Sequence, residues 1–208
     1  MHAAVTGCRE DDTIDAQPAR EYYRRAGYRG GQPHRGVPEI ASVGGQCDVL
    51  PYDVTSPASE QLEKLGTVDC GYYFATPKIF QRKSKLYEPE KLRTFLDFYA
   101  TGFFNMCSAL RHPAGGKIPI FFPSTIAIDH GLNTTAEYAM AKAAGEVLAG
   151  YMNDFMPHIH VVCRRLPRIL TDQTATVGVA SSASALDVML PIVHEVQRMA
   201  HSLADGPA

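Results

Sequence analysis

Tyr138 and Lys142 stand four residues apart in the alanine-rich run YAMAKAAGE, a short way after an apolar run, GKIPIFFPS, that Ser124 closes. Four residues is about one helical turn, so a phenol and an ammonium would project from the same helix face. A free tyrosine keeps its proton to pH ~10, too high for a base at neutral pH. A lysine ammonium one turn away favours the phenolate and lowers that value. A serine hydroxyl held opposite can hydrogen-bond a carbonyl oxygen or the alcohol it becomes. Such a group relays a proton while a separate donor supplies hydride.

Positioning these groups takes a strand ending at Ser124 and a helix carrying Tyr138 and Lys142. The chain offers elements of that kind throughout. Short continuous apolar runs predict strands within 2–7, 46–54, 67–76, 116–124 and 158–167. Helices are expected at about 19–27, 56–66, 88–110, 136–156 and 184–203, the last interrupted or started by Pro191. In 88–110, Leu92, Phe95, Leu96, Tyr99, Phe103, Met106 and Leu110 recur at helical spacing. Pro119 and Pro123 are unusual for a central strand. Residues 29–45, rich in Gly, Pro, Arg and His, read as loop. Strands alternating with helices imply a single α/β domain over 1–208, with a parallel sheet covered on both faces. In such a sheet, ligands bind beyond the carboxyl ends of the strands.

Composition narrows the class of protein. The 208 residues suit one domain, and 45% apolar with 20% charged residues is ordinary globular usage. A net charge of -2 gives no reason to expect nucleic acid or an anionic membrane as partner. Cys8, Cys47, Cys70, Cys107 and Cys163 are scattered and never form a CxxC pair, which argues against a disulfide framework or a zinc site. No metal is expected, and a reducing, cytoplasmic setting is. No stretch approaches the ~20 apolar residues of a spanning helix, and the acidic N-terminus does not read as a signal peptide.

Ser124 followed by Tyr-Ala-Met-Ala-Lys at 138–142 resembles the active-site segment of the short-chain dehydrogenase/reductase family, whose serine precedes a YxxxK. AAGEVLAGYMNDF resembles the long helix that continues the motif. AVTG resembles the family's first strand and turn, and GTVDCGYYFAT stands in the place of its fourth strand. The resemblance covers roughly residues 3 to 174 and implies a Rossmann-like doubly wound sheet in three α/β/α layers. It implies Tyr138 as general acid/base, Lys142 lowering its pKa and holding the nicotinamide ribose, and Ser124 orienting the substrate oxygen. It also implies that NAD or NADP is held by Thr6 and Gly7, by Asp53 (against adenine) and Val54, by Ala75, and by Pro167 and Thr171 or Thr174. A dimer or tetramer is the family-level expectation, through helices 88–110 and 136–156. The broad face of Phe95, Phe98, Tyr99, Phe103 and Phe104 exceeds what one core needs.

Several positions depart from the family pattern. Its phosphate-cradling turn is TGxxxGxG, whereas here Thr6-Gly7 runs into CREDDTIDAQP. Glu10, Asp11, Asp12 and Asp15 either repel a pyrophosphate or cap the following helix. The fourth-strand asparagine-alanine-glycine turn reads Phe74-Ala75-Thr76, and the asparagine of the proton relay aligns with Tyr99. Tyr99 is then either a partial substitute or a core aromatic. Pro-Gly becomes Pro167-Arg168, and no seventh strand follows, so the domain is shortened, with residues 184–208 as terminal helix and tail. Arg164, Arg165 and Arg168 either hold an anionic or carrier-bound substrate or form a solvated cluster. Arg29 and Arg35 lie where an NADP phosphate could be met.

Two functions follow. The first is an NAD(P)-dependent oxidoreductase interconverting a carbonyl and an alcohol, on a small-molecule or carrier-bound substrate. The second is the same fold without its dinucleotide, acting as a non-redox acid/base enzyme or a non-catalytic partner domain.

Overall fold

The computed structural model describes residues 3–5, 42, 44, 50–77, 79, 87–130, 136–169 and 183–204. Thr6, Gly7, Thr171, Thr174, the acids of 10–15, Arg29, Arg35 and the helix expected at 19–27 lie outside the described residues. The chain divides into two compact units, Ala4–Tyr52 and Asp53–Ala208 with Met1–Ala3. Strands β1 (Ala3–Val5) and β2 (Leu50–Tyr52) form a two-stranded sheet.

In the larger unit, helix α1 (Ala58–Leu62) and a 3-10 turn, Glu63–Leu65, lead to β3 (Gly71–Tyr72). Helix α2 (Pro89–Leu96) passes through a π-helical segment, Asp97–Gly102, into α3 (Phe103–Ala109). Strand β4 (Ile118–Thr125), the short α4 (Ala127–His130), α5 (Ala136–Phe155), β5 (Ile159–Leu166) and α6 (Ala185–Ala204) follow. The sheet order is β3-β4-β5, all parallel, with β4 central. A parallel sheet needs crossover helices; α2–α3 and α5 lie on one face here, and the terminal α6 covers the other. Phe122 meets Phe103 at 4.6 Å between ring centroids, on the side of α3 and α5. Its neighbour Phe121 turns the other way, into a core with Val162 and, from α6, Ile192 and Val196.

The central strand tolerates its prolines because β3 is so short. The Ile118 N–H points to β5, bonding His158 O at 2.9 Å, so odd-numbered residues of β4 present their backbone groups to β3. There the ladder holds only Gly71↔Ile120 and Tyr72↔Phe121, with the Tyr73 N–H closing on Phe121 O at 2.9 Å. Pro119 and Pro123 lie beyond its two ends, where no ladder bond is lost. Along β5, the Asn153 side chain of α5 bonds both backbone groups of Val161, at 3.0 and 2.5 Å.

The helix expected across 88–110 contains an irregularity that apolar spacing does not reveal. Its π-helical segment inserts a wide turn, and Tyr73 Oη donates to Phe98 O at 2.6 Å. The added residue rotates the helix face, so the broad aromatic side serves two contacts. Phe95, Phe98, Tyr99 and Phe103 are all buried, and only Phe104 of that set is exposed. That aromatic breadth belongs to the chain's own core. Helix α6 starts before Pro191 and runs through it, so the proline neither starts nor interrupts it.

Candidate active site

Because β3, β4 and β5 are parallel, their carboxyl ends share one edge of the sheet. That edge carries Ala75 and Thr76 after β3, Ser124 and Thr125 ending β4, and Pro167 after β5. Helix α5 begins one short helix after β4 and brings Tyr138 and Lys142 on its first two turns.

Tyr138 and Lys142 share a face, with the Lys142 Nζ 6.0 Å from the Tyr138 ring centroid. The Tyr138 ring stands edge-on to Phe95 at 5.8 Å and to Tyr99 at 5.7 Å. Lys142 is only 5% exposed. Its Nζ donates to Pro123 O at 2.5 Å and sits 3.9 Å above the Tyr99 ring and 4.7 Å from that of Phe122. The Pro123 carbonyl is available because it faces the side of β4 where β3 has already ended.

Gly145 makes this approach possible. A Cβ there would lie 2.5 Å from Phe122 Cζ and 2.8 Å from Tyr99 O, so only glycine lets α5 close onto the π-helical segment. Buried among rings, the Lys142 amine is pushed down to about 7, desolvation being the cause. Burial also raises Tyr138 above its ordinary value, and a hydrogen bond with Thr125 lowers it only in part. Burial, rather than Lys142, sets the direction in which the Tyr138 pKa moves. Both groups leave water together, and desolvation disfavours phenolate and ammonium alike.

Ser124 does not serve as the hydroxyl partner of Tyr138. It is buried and donates to Glu146 Oε1 at 2.5 Å. Glu146 in turn accepts Arg165 Nε at 2.8 Å and Nη2 at 2.6 Å, and Arg165 Nη1 reaches Asp129 at 2.5 Å. These Arg165 contacts, first among the causes, hold the Glu146 carboxyl below its ordinary value. The hydroxyl that pulls the Tyr138 pKa down is that of Thr125, one residue on. Thr125 Oγ1 also accepts the Ala127 N–H at 3.2 Å, capping the start of α4.

Tyr99 and Thr76 meet through their hydroxyls, and Thr76 Oγ1 donates to Pro77 O at 3.1 Å. Arg164 pairs with Glu195 of α6, and Arg165 is held as described, so neither arginine is set aside for an anionic substrate. Among the described residues, no group of three or more His, Cys, Asp or Glu gathers as a metal site would require. No described helix is long and apolar enough to cross a membrane.

No protein-family model matches the chain, and no curated protein matches it by sequence. Solved structures do. A short chain dehydrogenase from Salmonella enterica serovar Typhi superposes with a TM-score of 0.61 at 16% identity, covering 76% of this chain and 72% of that one. A short-chain oxidoreductase from Thermus thermophilus gives 0.55 at 20% identity, over 86% and 84%. A short chain dehydrogenase from Burkholderia cenocepacia, solved in complex with NADP, gives 0.54 at 17%, over 75% and 73%. The chain has the short-chain dehydrogenase/reductase fold. At these identities the likeness concerns architecture alone.

Within the short-chain dehydrogenase/reductase fold, the other expected cofactor residues divide. The Asp53 carboxylate accepts the Thr55 N–H at 3.0 Å and the Thr55 and Ser56 hydroxyls at 2.8 and 3.2 Å. The Thr55 N–H bond, the largest cause, holds its pKa low. Asp53 thus stabilises its own turn before α1. Val54 is buried with its Cγ1 against Gly102 in the π-helical segment, which is a packing role. Ala75 is buried at the carboxyl edge, and Pro167 is exposed directly after β5.

Proposed function

We propose that the chain is a divergent NAD(P)-dependent oxidoreductase that interconverts a carbonyl and an alcohol, with Tyr138 as general acid/base. The observation that carries this reading is the cluster Thr125, Tyr138 and Lys142 at the carboxyl edge of a parallel sheet. Ser124 passes to a structural role, and Thr125 takes the part first given to it. The donor set fits a dinucleotide at its nicotinamide end. Lys142 has three N–H donors and the Pro123 carbonyl uses one, which leaves two for ribose hydroxyls. Ala75 and Pro167 line the same edge; Thr6, Gly7 and Thr171 are carried over from the resemblance alone. When bound, the nicotinamide supplies or accepts the hydride. NADP is the form named for the Burkholderia neighbour, and either dinucleotide remains within the proposal.

The proton side follows from hydrogen-bond polarity. Thr125 Oγ1 accepts from Ala127, so its single hydrogen is free to be donated to the Tyr138 oxygen. The Tyr138 proton then points away from Thr125, toward a substrate oxygen at the sheet edge. A raised phenol pKa suits donation to a nascent alkoxide, the reductive direction. The proposed substrate is a small-molecule or carrier-bound carbonyl compound, the assembly a homodimer, and the setting cytoplasmic.

Tyr138→Phe tests the reading. Turnover of NADH or NADPH against a panel of aldehydes and ketones is expected to fall by roughly 10²–10⁴-fold with the variant. Unchanged turnover would remove Tyr138 from the reaction. Calorimetry with each dinucleotide is expected to give saturable binding. No binding at millimolar concentration sinks the oxidoreductase and favours the fold without cofactor.

A further inference from the structure

Tyr99 stands where the reading above has no use for an aromatic. It is fully buried, stacks on Phe95 at an interplanar angle of 7°, and lies under the Lys142 ammonium at 3.9 Å. Its hydroxyl has a definite direction. Thr76 spends its only hydrogen on Pro77 O, so the bond between the two hydroxyls must be donated by Tyr99. That chain runs Tyr99 to Thr76 to Pro77, away from Tyr138 and Lys142. Tyr99 therefore relays no proton to the candidate site. Its ring face, which carries the negative side of the aromatic quadrupole, is what meets the amine.

We propose that Tyr99 is a positioning residue, whose ring face, together with that of Phe122, forms a cage that seats the Lys142 ammonium beside Tyr138. The Thr76 bond fixes the ring's tilt, and Gly145 admits the helix close enough for contact. Among the described residues, the amine meets no carboxylate. The titratable groups around it are Tyr99 from the π-helical segment, Tyr138 on its own helix and Cys163 from β5. Glu146, one turn further along α5, is occupied by Arg165 and Ser124. Aromatic faces thus supply the electrostatic support that a buried ammonium otherwise takes from an acid. The inference rests on the oxidoreductase reading for its use, not for its test.

The test is a titration of the Lys142 side chain by NMR in the full chain, with carbon-13 at the lysine ε position. The resonance is identified by its loss in Lys142→Arg. Tyr99→Phe keeps the ring but loses the Thr76 bond, and is expected to move the Lys142 midpoint less than removal of the ring does. Tyr99→Leu removes the ring face and is expected to lower the midpoint by roughly half to one pH unit. Should Tyr99→Leu fail to fold, Tyr99→Met, unbranched and adaptable, carries the same expectation. An unchanged or raised midpoint without the ring overturns the proposal, as does a Tyr99→Phe midpoint that moves as far as Tyr99→Leu. None of these outcomes depends on turnover. Failure of the cage and failure of the oxidoreductase reading are therefore separately visible, the latter by dinucleotide calorimetry.

Discussion

At the scale of residues, the candidate site depends on which of two adjacent hydroxyls faces the phenol. Thr125→Val keeps the shape of the side chain and removes its hydroxyl. Turnover is expected to drop by about 10–10²-fold, the range of a lost proton-positioning contact. Ser124→Ala leaves Glu146 with Arg165, and its cost is expected in stability, about 1 kcal/mol by urea unfolding, with turnover near that of the parent. The reverse pattern would restore Ser124 to the reaction. Lys142 adds a pH signature. Its folded value near 7 lies below the ~10.4 of an unfolded lysine, so between these limits the unfolded chain binds more protons. Its contribution to stability is therefore least below pH ~7 and rises as pH increases toward ~10. Burial raises Cys107 and Cys163 and works in the opposite sense above pH ~8.5. The difference in unfolding free energy between the parent and Lys142→Met isolates the lysine. A difference that does not change across pH 6–10 would contradict the depressed value.

At the scale of elements, Gly145 is the position that sets how close α5 lies to the π-helical segment. Gly145→Ala is expected to cost roughly 1–3 kcal/mol in urea unfolding through forced displacement, despite alanine's better helix propensity. A neutral or stabilising result would mean that the helices have room to spare. Much of this architecture was legible in the residues. The run Ala136–Phe155 and the apolar stretch of β5 were long enough for period and composition to agree. The π-helical segment was not legible, because one added residue leaves the apolar spacing nearly intact while turning the face. Pro119 and Pro123 argued against a central strand, and their tolerance depends on how few residues β3 contributes, a fact of tertiary pairing. Tyr138 and Lys142 were legible from spacing. The choice between Ser124 and Thr125 was not, since adjacent hydroxyls look alike in sequence and only the fold shows Ser124 taken up by Glu146.

At the scale of the whole molecule, α5 keeps an apolar stripe that none of the described residues covers. Val147 is 76%, Tyr151 55% and Phe155 67% exposed, at successive steps of four residues, with Phe104 of α3 also exposed. Such a stripe fits the proposed homodimer, and a dimeric mass is expected in light scattering at micromolar concentration. Val147→Glu is expected to shift that mass toward the monomer. A parent that is monomeric at this concentration would refute the assembly.

The brevity of β3 also bears on how any lysine variant is read. With no strand residue opposite it, the Pro123 carbonyl depends on Lys142 for its hydrogen bond, so the amine acts as a cork in the sheet as well as a charge. Lys142→Ala would orphan a backbone acceptor and loosen the end of β4 that carries Thr125. An inactive alanine variant thus mixes two losses, and Lys142→Gln, which keeps an N–H donor without the charge, separates them.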